Sequence, residues 1–265
     1  DFSPAVDDFS AHRKGTSFSS IRQSIGAFYE AFHGNPHTIL TDSLLQDVIA
    51  SGAPWKMLAE RFSQYMISDW LQLKNDLVFH YIQKLRAALD SHGHQDKQLV
   101  PHAFPPPFNV MSGLDFGRIA PLTDHIPVKL YTMHWAMIAR FYLDQIHKNN
   151  PQLTESLLVA AIFKLLQISD EAAPARISDV KYPSPSESHL PSEQVQCEKI
   201  AEAQSAAGET RIAALVHGYG PVEDTVSRLR VGLRATDNHI WVNRYGYLND
   251  EKLVKLGALV LDQLQ

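Results

Sequence analysis

The sequence predicts an α/β fold in which short parallel strands alternate with helices. In residues 96–265, short apolar runs alternate with stretches whose apolar side chains recur every three or four residues, which is the spacing of one helix face. The runs are apolar throughout, as is typical of parallel strands covered on both faces. A chain of 265 residues, 45% of them hydrophobic and 20% charged, can bury a large core.

Five apolar runs are predicted to be strands: Gln98–Phe104, Val128–Met133, Ile177–Tyr182, Ile212–His217 and His239–Asn243. The helices predicted in the same region are Asp115–Leu122, His134–Lys148, Thr154–Gln167, Glu193–Ala207, Val222–Ala235 and Asp250–Leu264. This alternation indicates right-handed βαβ units and therefore a parallel sheet.

Residues 1–95 are predicted to form a helical segment ahead of the βα repeats of residues 96–265, with the whole chain, 1–265, in one domain. The first helix carries its apolar face on Ile21, Ile25, Phe28 and Phe32. Either Thr41 or Asp42 is expected to cap the second helix. A helical pattern then covers residues 55–89, which would span roughly 52 Å as one helix, so a break near Ser68–Trp70 is predicted.

Composition and short motifs exclude several classes of function. The net charge of −5 and the pI of about 6.2 predict no general affinity for nucleic acid. No apolar stretch approaches the roughly 18 residues of a membrane helix, so no membrane partner is expected. The single cysteine, Cys197, excludes an intrachain disulfide. No dinucleotide, Walker or serine-hydrolase motif occurs, so no cofactor is predicted.

The five predicted strands are followed by segments of similar composition. These segments read "HAFPPPFN", "YTMHW", "YPSPSES", "HGYGPVED" and "NRYGYL", and each contains an aromatic residue or a histidine. The carboxyl ends of parallel strands meet at one side of the sheet, where ligands bind. The residues expected to converge there are His102, Phe104, Tyr131, His134, Trp135, Tyr182, Glu187, His217, Tyr219, Arg244, Tyr245 and Tyr247.

Rings beside polar groups suit a sugar, because aromatic faces stack on the C–H side of a pyranose while polar side chains bind its hydroxyls. A single His or Tyr at a strand end more often packs or anchors a loop. The sugar hypothesis therefore depends on the shared composition of all five ends.

The segment "HAFPPPFNVMSGLDFGRIAPLTDHIPVKLYTMHW" resembles the middle of glycoside-hydrolase-like TIM-barrel proteins, in which a Gly-Leu-Asp segment opens a short helix before a strand. The corresponding residues are Gly113, Leu114, Asp115, Asp124, Ile126 and Tyr131. The tail from "ALVHGYGPVED" to "YGYLNDEKL" resembles the last two β/α units of those proteins, and the opening "DFSPAVDDFSAHRKG" resembles a helical segment that follows an early strand.

The resemblance implies a (β/α)8 TIM-type barrel. Such a barrel needs eight strands, whereas five are predicted here. The resemblance therefore also implies that the early strands lie upstream of Asp1. An open α/β sheet is the alternative.

Hydrolysis of an oligo- or polysaccharide at the C-terminal face of the barrel is the function that the resemblance implies. A glycosidase needs two carboxyl groups beside the scissile bond, and Glu187 and Asp115 are the predicted catalytic pair. Glu223 and Asp224 fall in the first turn of a predicted helix, where acids usually stabilise the helix dipole. The predicted substrate-binding residues are His102, Phe104, Tyr131, His134, Trp135, His217, Tyr219, Arg244 and Tyr245.

Two other functions fit the same residues. His102, His134 and His217 each end a predicted strand and could hold a divalent metal ion that activates water, although no close-spaced metal motif is present. A carbohydrate-binding protein without catalytic activity would explain both the aromatic residues and the shortage of carboxylates at the strand ends.

Overall fold

The computed structural model describes Val6, Phe9, residues 17–33 and residues 38–263. The fold is mostly helical, at 63%, with one small open sheet of three parallel strands. The prediction of a (β/α)8 TIM-type barrel is therefore wrong, because three strands in an open sheet cannot close on themselves. Most of the opening segment that resembles a barrel protein, and the last residue of the final predicted helix, Leu264, lie outside the described residues.

Residues 17–91 contain four helices in their described part: α1 (Phe18–His33), α2 (Asp42–Ala50), α3 (Pro54–Arg61) and α4 (Ile67–Ser91). The Thr41 side chain caps α2 by accepting a hydrogen bond from the Leu44 backbone N–H. The predicted break near Ser68–Trp70 lies slightly earlier. A 3₁₀ turn at Ser63–Tyr65 and the left-handed backbone of Met66, with φ of 52°, separate α3 from α4.

The second part of the chain contains the strands and seven further helices in its described residues. Its elements are α5 (Phe108–Ser112), α6 (Phe116–Ile119), β1 (His125–Leu130), α7 (Thr132–Asn149), α8 (Glu155–Leu166), α9 (Glu193–Ala207), β2 (Arg211–His217), α10 (Val222–Ala235), β3 (Ile240–Asn243) and α11 (Asp250–Gln263). Short 3₁₀ turns lie at Ala120–Leu122, Ile177–Asp179 and Tyr245–Tyr247. None of the described helices is long and apolar enough to cross a bilayer.

The sheet has the order β1-β2-β3, and both strand pairs are parallel. Alternate side chains face the helices, and those of Ile126, Val128, Leu130, Ile212, Ala214 and Val216 join the main apolar core. The opposite face, called the outer face below, carries Lys129 of β1, Leu215 of β2 and Trp241 of β3 in one row. Trp241 is 38% exposed, so the outer face is partly open to solvent.

Two predicted strands do not form. Gln98–Phe104 contributes only an isolated parallel bridge between Ala103 and Val128. Prolines surround this bridge at Pro101 and at residues 105–107, and proline lacks the N–H that a strand ladder needs. Ile177–Tyr182 instead begins with a 3₁₀ turn, and the Ile177 N–H donates to the Glu155 carboxylate of α8 at 2.5 Å.

The predicted strand Val128–Met133 lies three residues too late, because β1 ends at Leu130 and α7 begins at Thr132. Pro127 obscures the true start of β1 in the sequence. The ladder tolerates this proline because its carbonyl, rather than an N–H, accepts the hydrogen bond from Ala103 at 2.9 Å.

Helix α10 packs directly onto the sheet through a glycine. A Cβ atom added at Gly232 would lie 3.0 Å from the Ala214 Cβ and 3.3 Å from the Ile240 Cγ2. Gly257 in α11 has no atom within 4 Å of the equivalent position. The first glycine is therefore required by packing, whereas the second is not.

We expect Gly232→Ala to lower the free energy of unfolding by about 1–3 kcal/mol, because the added methyl group forces α10 away from β2. The matched variant Gly257→Ala should leave stability unchanged or raise it by about 0.5–1 kcal/mol, since alanine favours an open helical position. Urea unfolding followed by circular dichroism measures both values. Equal effects of the two substitutions would contradict this packing of α10.

Candidate functional site

The carboxyl ends of the three strands bring three polar side chains into one row. Tyr131 directly follows β1, and its ring centroid lies 4.7 Å from that of His217, the last residue of β2. Asn243, the last residue of β3, donates a hydrogen bond from Nδ2 to the Tyr131 hydroxyl. The parallel register therefore brings together the carboxyl ends of the three described strands, whereas the sequence predicted five converging ends.

Further rings extend this row into a group that we call the strand-end cluster. Its members are Tyr131, His134, Tyr182, His189, His217, Tyr219 and Tyr247. The Tyr219 ring lies at its centre, 5.3 Å from the Tyr182 ring and 5.4 Å from the Tyr247 ring. Tyr219 is only 9% exposed, whereas Tyr182 and Tyr247 are 41% and 50% exposed. Two accessible tyrosine rings therefore flank a buried one.

Arg228 of α10 binds the loop that follows β2. It is 2% exposed, and its guanidinium group donates to the carbonyl oxygens of His217 and Tyr219. It also contacts His189 Nδ1 at 2.9 Å and the Thr225 hydroxyl at 3.3 Å. Burial lowers the pKa of Arg228 to about 10, although Asp224 acts in the opposite direction. Arg228 stays a cation near neutral pH.

Lys252 of α11 binds the same loop. Its ammonium group donates to the carbonyl oxygens of Gly218, Gly220 and Tyr247 at 2.7–3.1 Å, and the side chain is 7% exposed. These carbonyls use all three donors of the ammonium group. Lys252 therefore fixes the turn that carries Tyr247 against the loop that carries Tyr219.

His217 is neutral at physiological pH. Its Nδ1 accepts a hydrogen bond from the Tyr219 backbone N–H at 3.0 Å, so the proton of the neutral ring is on Nε2. Burial lowers its pKa to about 4, and electrostatic repulsion from His134 when protonated and from Arg228, Arg244 and Lys252 acts in the same direction. In the described part of the chain, the Nε2–H has no hydrogen-bond acceptor. His217 can therefore donate this hydrogen bond to a ligand.

His189 connects the loop of residues 180–192 to the cluster. Its Nδ1 accepts from Arg228 and lies 2.6 Å from the Thr132 hydroxyl, and its backbone N–H donates to the Asp224 carboxylate at 2.7 Å. Burial lowers its pKa to about 3, with further lowering by the positive charge of Arg228. A pocket of about 320 Å³ adjoins this histidine, between the start of α7 and residues 179–190.

Glu187 lines that pocket and stabilises its loop. Its carboxylate accepts from Lys181 Nζ at 2.9 Å and from the Ser184 backbone N–H at 2.7 Å. These hydrogen bonds, that of Lys181 first, lower the pKa of Glu187 to about 2. A general acid of a glycosidase needs a raised pKa instead, so the observed environment suits a loop-stabilising ion pair.

Asp115 lies at the opposite end of the sheet, near the amino ends of the strands. It caps α6 by accepting from the Arg118 N–H at 3.1 Å. In the 3₁₀ turn that follows α6, the Ala120 carbonyl accepts a hydrogen bond from the hydroxyl of Thr210, the residue before β2. Glu187 instead shares a pocket with Thr132, just beyond the end of β1. The six residues of β1 span about 20 Å, so the structure does not place Asp115 and Glu187 at the 5–9.5 Å that glycosidases use.

The other predicted site residues divide into three groups. Tyr131, His134, His217 and Tyr219 meet in the strand-end cluster. His102 and Phe104 lie at the outer face, where the His102 ring is 5.6 Å from Trp241 and Lys129 Nζ is 4.8 Å from the Phe104 ring. Arg244 and Tyr245 follow β3 and are both exposed, Tyr245 by 74%.

Trp135 is the exception among these residues, because it is fully buried. Its ring lies 5.8 Å from that of Phe108, and the buried ammonium of Lys199 lies 5.1 Å from its centroid. Lys199 Nζ donates to the carbonyls of Pro106 and Leu166 at 2.7 and 3.0 Å. Trp135 therefore packs under α7 and cannot reach a ligand at the strand ends.

Four residues of the site were not predicted from the sequence: His189, Arg228, Lys252 and Asn243. Two of them had a signal in the pattern of their helices. Arg228 and Lys252 occupy positions on the buried faces of α10 and α11, where a charged side chain is costly unless it is paired. Asn243 is the polar end of an apolar run. His189 had no such signal, because its contacts join segments that are distant in the sequence.

The three histidines of the metal alternative do not converge. His134 and His217 lie 6.3 Å apart between ring centroids, whereas His102 packs against Trp241. Within the described ranges, no group of three or more His, Cys, Asp or Glu side chains has a geometry that could hold a metal ion.

Comparisons with known proteins identify no family for this chain. No protein-family model, no curated protein and no solved structure matches the chain. The resemblance to glycoside-hydrolase-like barrels therefore rests on the sequence pattern alone, and the open sheet replaces its barrel.

Acid should destabilise the protein before its carboxylates titrate. The lowered pKa values of His189 and His217 mean that the unfolded chain binds protons below about pH 6.5 while the folded chain does not. The free energy of unfolding should therefore fall from pH 6.5 to pH 5, by up to about 1.4 kcal/mol per pH unit for each histidine. Urea titrations at several pH values measure this slope.

His189→Gln should make the slope shallower, because glutamine does not titrate in this range. The control is His94→Gln, at an exposed position after α4, which should leave the slope as in the wild type. A slope that His189→Gln does not change would show that His189 is not held neutral by the fold.

Proposed function

We propose that the protein binds a carbohydrate at the strand-end cluster. The observation that carries the proposal is the pair of exposed tyrosines, Tyr182 and Tyr247, on either side of the buried Tyr219 ring. Exposed aromatic rings that are held in place offer apolar contact area at low cost in conformational entropy. Such rings suit the C–H faces of a pyranose.

Hydrogen-bonding groups lie beside these rings. The Nε2–H of His217 is a donor without an acceptor in the described part of the chain, and Tyr131 accepts from Asn243 through its hydroxyl oxygen and can still donate. Sugar hydroxyls both donate and accept hydrogen bonds. A neutral imidazole and a phenol therefore suit them better than an arrangement of charged groups alone.

Binding without cleavage explains the carboxylates better than hydrolysis does. Glu187 is engaged by Lys181 and Ser184, and Asp224 accepts from the His189 backbone N–H. Asp115 lies at the other end of the sheet, near the start of β2. The glycoside hydrolase interpretation stays a prediction, and release of reducing ends from a bound oligosaccharide would support it against simple binding.

Isothermal titration with a panel of neutral and acidic oligosaccharides tests the proposal. Tyr182→Ala and Tyr247→Ala should each weaken binding by about 2- to 10-fold, which corresponds to the loss of one aromatic contact of about 0.5–1.5 kcal/mol. Tyr81→Ala is the matched control, because Tyr81 is 64% exposed on α4. No binding to any member of the panel, or equal binding by all three variants, would contradict the proposal.

A further inference from the structure

We infer that the carbohydrate bound at the strand-end cluster is acidic and that its carboxylate or sulfate group contacts Arg244 and Lys129. This inference rests on the proposed carbohydrate binding and names the class of sugar. It is carried by positive side chains at the carboxyl ends of the strands, two of which have no carboxylate partner among the described residues.

Arg244, which is exposed, and Lys129, which is half-buried, are cations without an acid partner among the described residues at the carboxyl ends of the strands. Arg244 follows β3 with a left-handed backbone, φ 68°, and its guanidinium group has no hydrogen-bond or ion-pair partner in the described part of the chain. Lys129 Nζ lies over the Phe104 ring at 4.8 Å and pairs with no described carboxylate. Lys129 lies in one row with Leu215 and Trp241 across the strands, and Arg244 directly follows Asn243, which donates to the Tyr131 hydroxyl. Burial lowers the pKa of His134, and the charges of Lys129 and Arg244 lower it further.

Two buried cations add to this positive charge. Lys252 donates to three carbonyl oxygens rather than to a carboxylate. The negative charge of Asp224 attracts Arg228, but the Asp224 carboxylate also accepts a hydrogen bond from the His189 backbone N–H. The cations are therefore compensated mainly by dipoles, and a low-dielectric environment screens such charges little.

The neighbouring carboxylates are already engaged elsewhere. Glu187 pairs with Lys181 at 2.9 Å, and Glu223 pairs with Lys255 at 3.2 Å. Arg244 and Lys129 thus have no acid partner among the described residues, in a chain whose formal net charge is −5.

The start of α7 has the same electrostatic character. This helix of 18 residues begins at Thr132, directly after Tyr131, with no side-chain cap and no acidic residue in its first turn. Its dipole places partial positive charge beside His134 and the strand-end cluster. Together with the neutral Nε2–H donor of His217, these groups form a setting in which an anionic oxygen gains charge-assisted hydrogen bonds.

Trigalacturonate and its fully methyl-esterified form are matched probes, because the ester keeps the sugar and removes the charge. Titration calorimetry on the whole chain should show the acid binding about tenfold or more tightly than the ester, as expected for hydrogen bonds to a charged group. The advantage should shrink between 50 and 200 mM NaCl, because added salt screens accessible charges. A sulfated galactan trisaccharide distinguishes a sulfate preference from a carboxylate preference.

Arg244→Gln and Lys129→Gln should each remove most of the preference for the acid, measured as the ratio of the affinity for the acid to the affinity for the ester. Lys56→Gln is the control of equal charge change, because Lys56 lies on α3 in an exposed pair with Glu60. Equal affinity for acid and ester, or a full acid preference in the Arg244→Gln Lys129→Gln double variant, would overturn the inference.

The outcomes separate the two proposals. Binding of the ester without preference for the acid would leave carbohydrate binding in place and refute the acidic class. Binding of neither probe nor of any neutral oligosaccharide would refute both. Acid binding that is insensitive to Tyr182→Ala and Tyr247→Ala, and that inorganic sulfate displaces fully, would show a simple anion site and refute the sugar.

Discussion

The loop that follows β2 is held by two buried cations, and the geometry of the strand-end cluster depends on them. Arg228 reaches the loop from α10 and Lys252 from α11, and together they bind the carbonyls of four residues between His217 and Gly220. Burying a charge costs several kcal/mol unless hydrogen bonds compensate for it. Here the loop carbonyls supply that compensation, so the loop and the cations stabilise each other.

This constraint determines the chemistry of the nearby imidazoles. A second positive charge beside a buried guanidinium and ammonium group would be unfavourable, and burial already opposes ionisation. The pKa values of His189 and His217 are therefore lowered, and both rings stay neutral. The fixed hydrogen bonds to their Nδ1 atoms then place the remaining proton on Nε2. The result is a cluster of neutral donors and rings beside permanent cations.

Much of the helical structure could be predicted from the sequence. α9 and α10 have the predicted bounds, because apolar spacing and terminal residues such as Ser192 and Gly208 act locally. The strands were harder to predict. An apolar run forms a strand only if a neighbour supplies hydrogen bonds, and residues 98–104 and 177–182 lack one along most of their length. The barrel prediction failed for the same reason, because closure depends on pairing between distant segments.

The candidate site was partly predictable for similar physical reasons. Tyr131, His217 and Tyr219 converge because parallel strands end at one edge of a sheet, which sequence reasoning can foresee. Trp135 follows His134 by one residue on a helix, and this 100° turn directs it into the core. The contacts of Arg228 and His189 join residues 39 positions apart, and no local pattern indicates them.

The most direct test of this account is an NMR titration of the histidine rings, with the His189 and His217 signals assigned by substitution. We expect both rings to stay largely neutral with the proton on Nε2 from pH 7.5 to pH 5, and the titration of His217 to have its midpoint near pH 4. A midpoint for His217 near the ordinary value of about 6.5 would contradict it. That result would mean that the buried cations do not control the charge of the strand-end cluster.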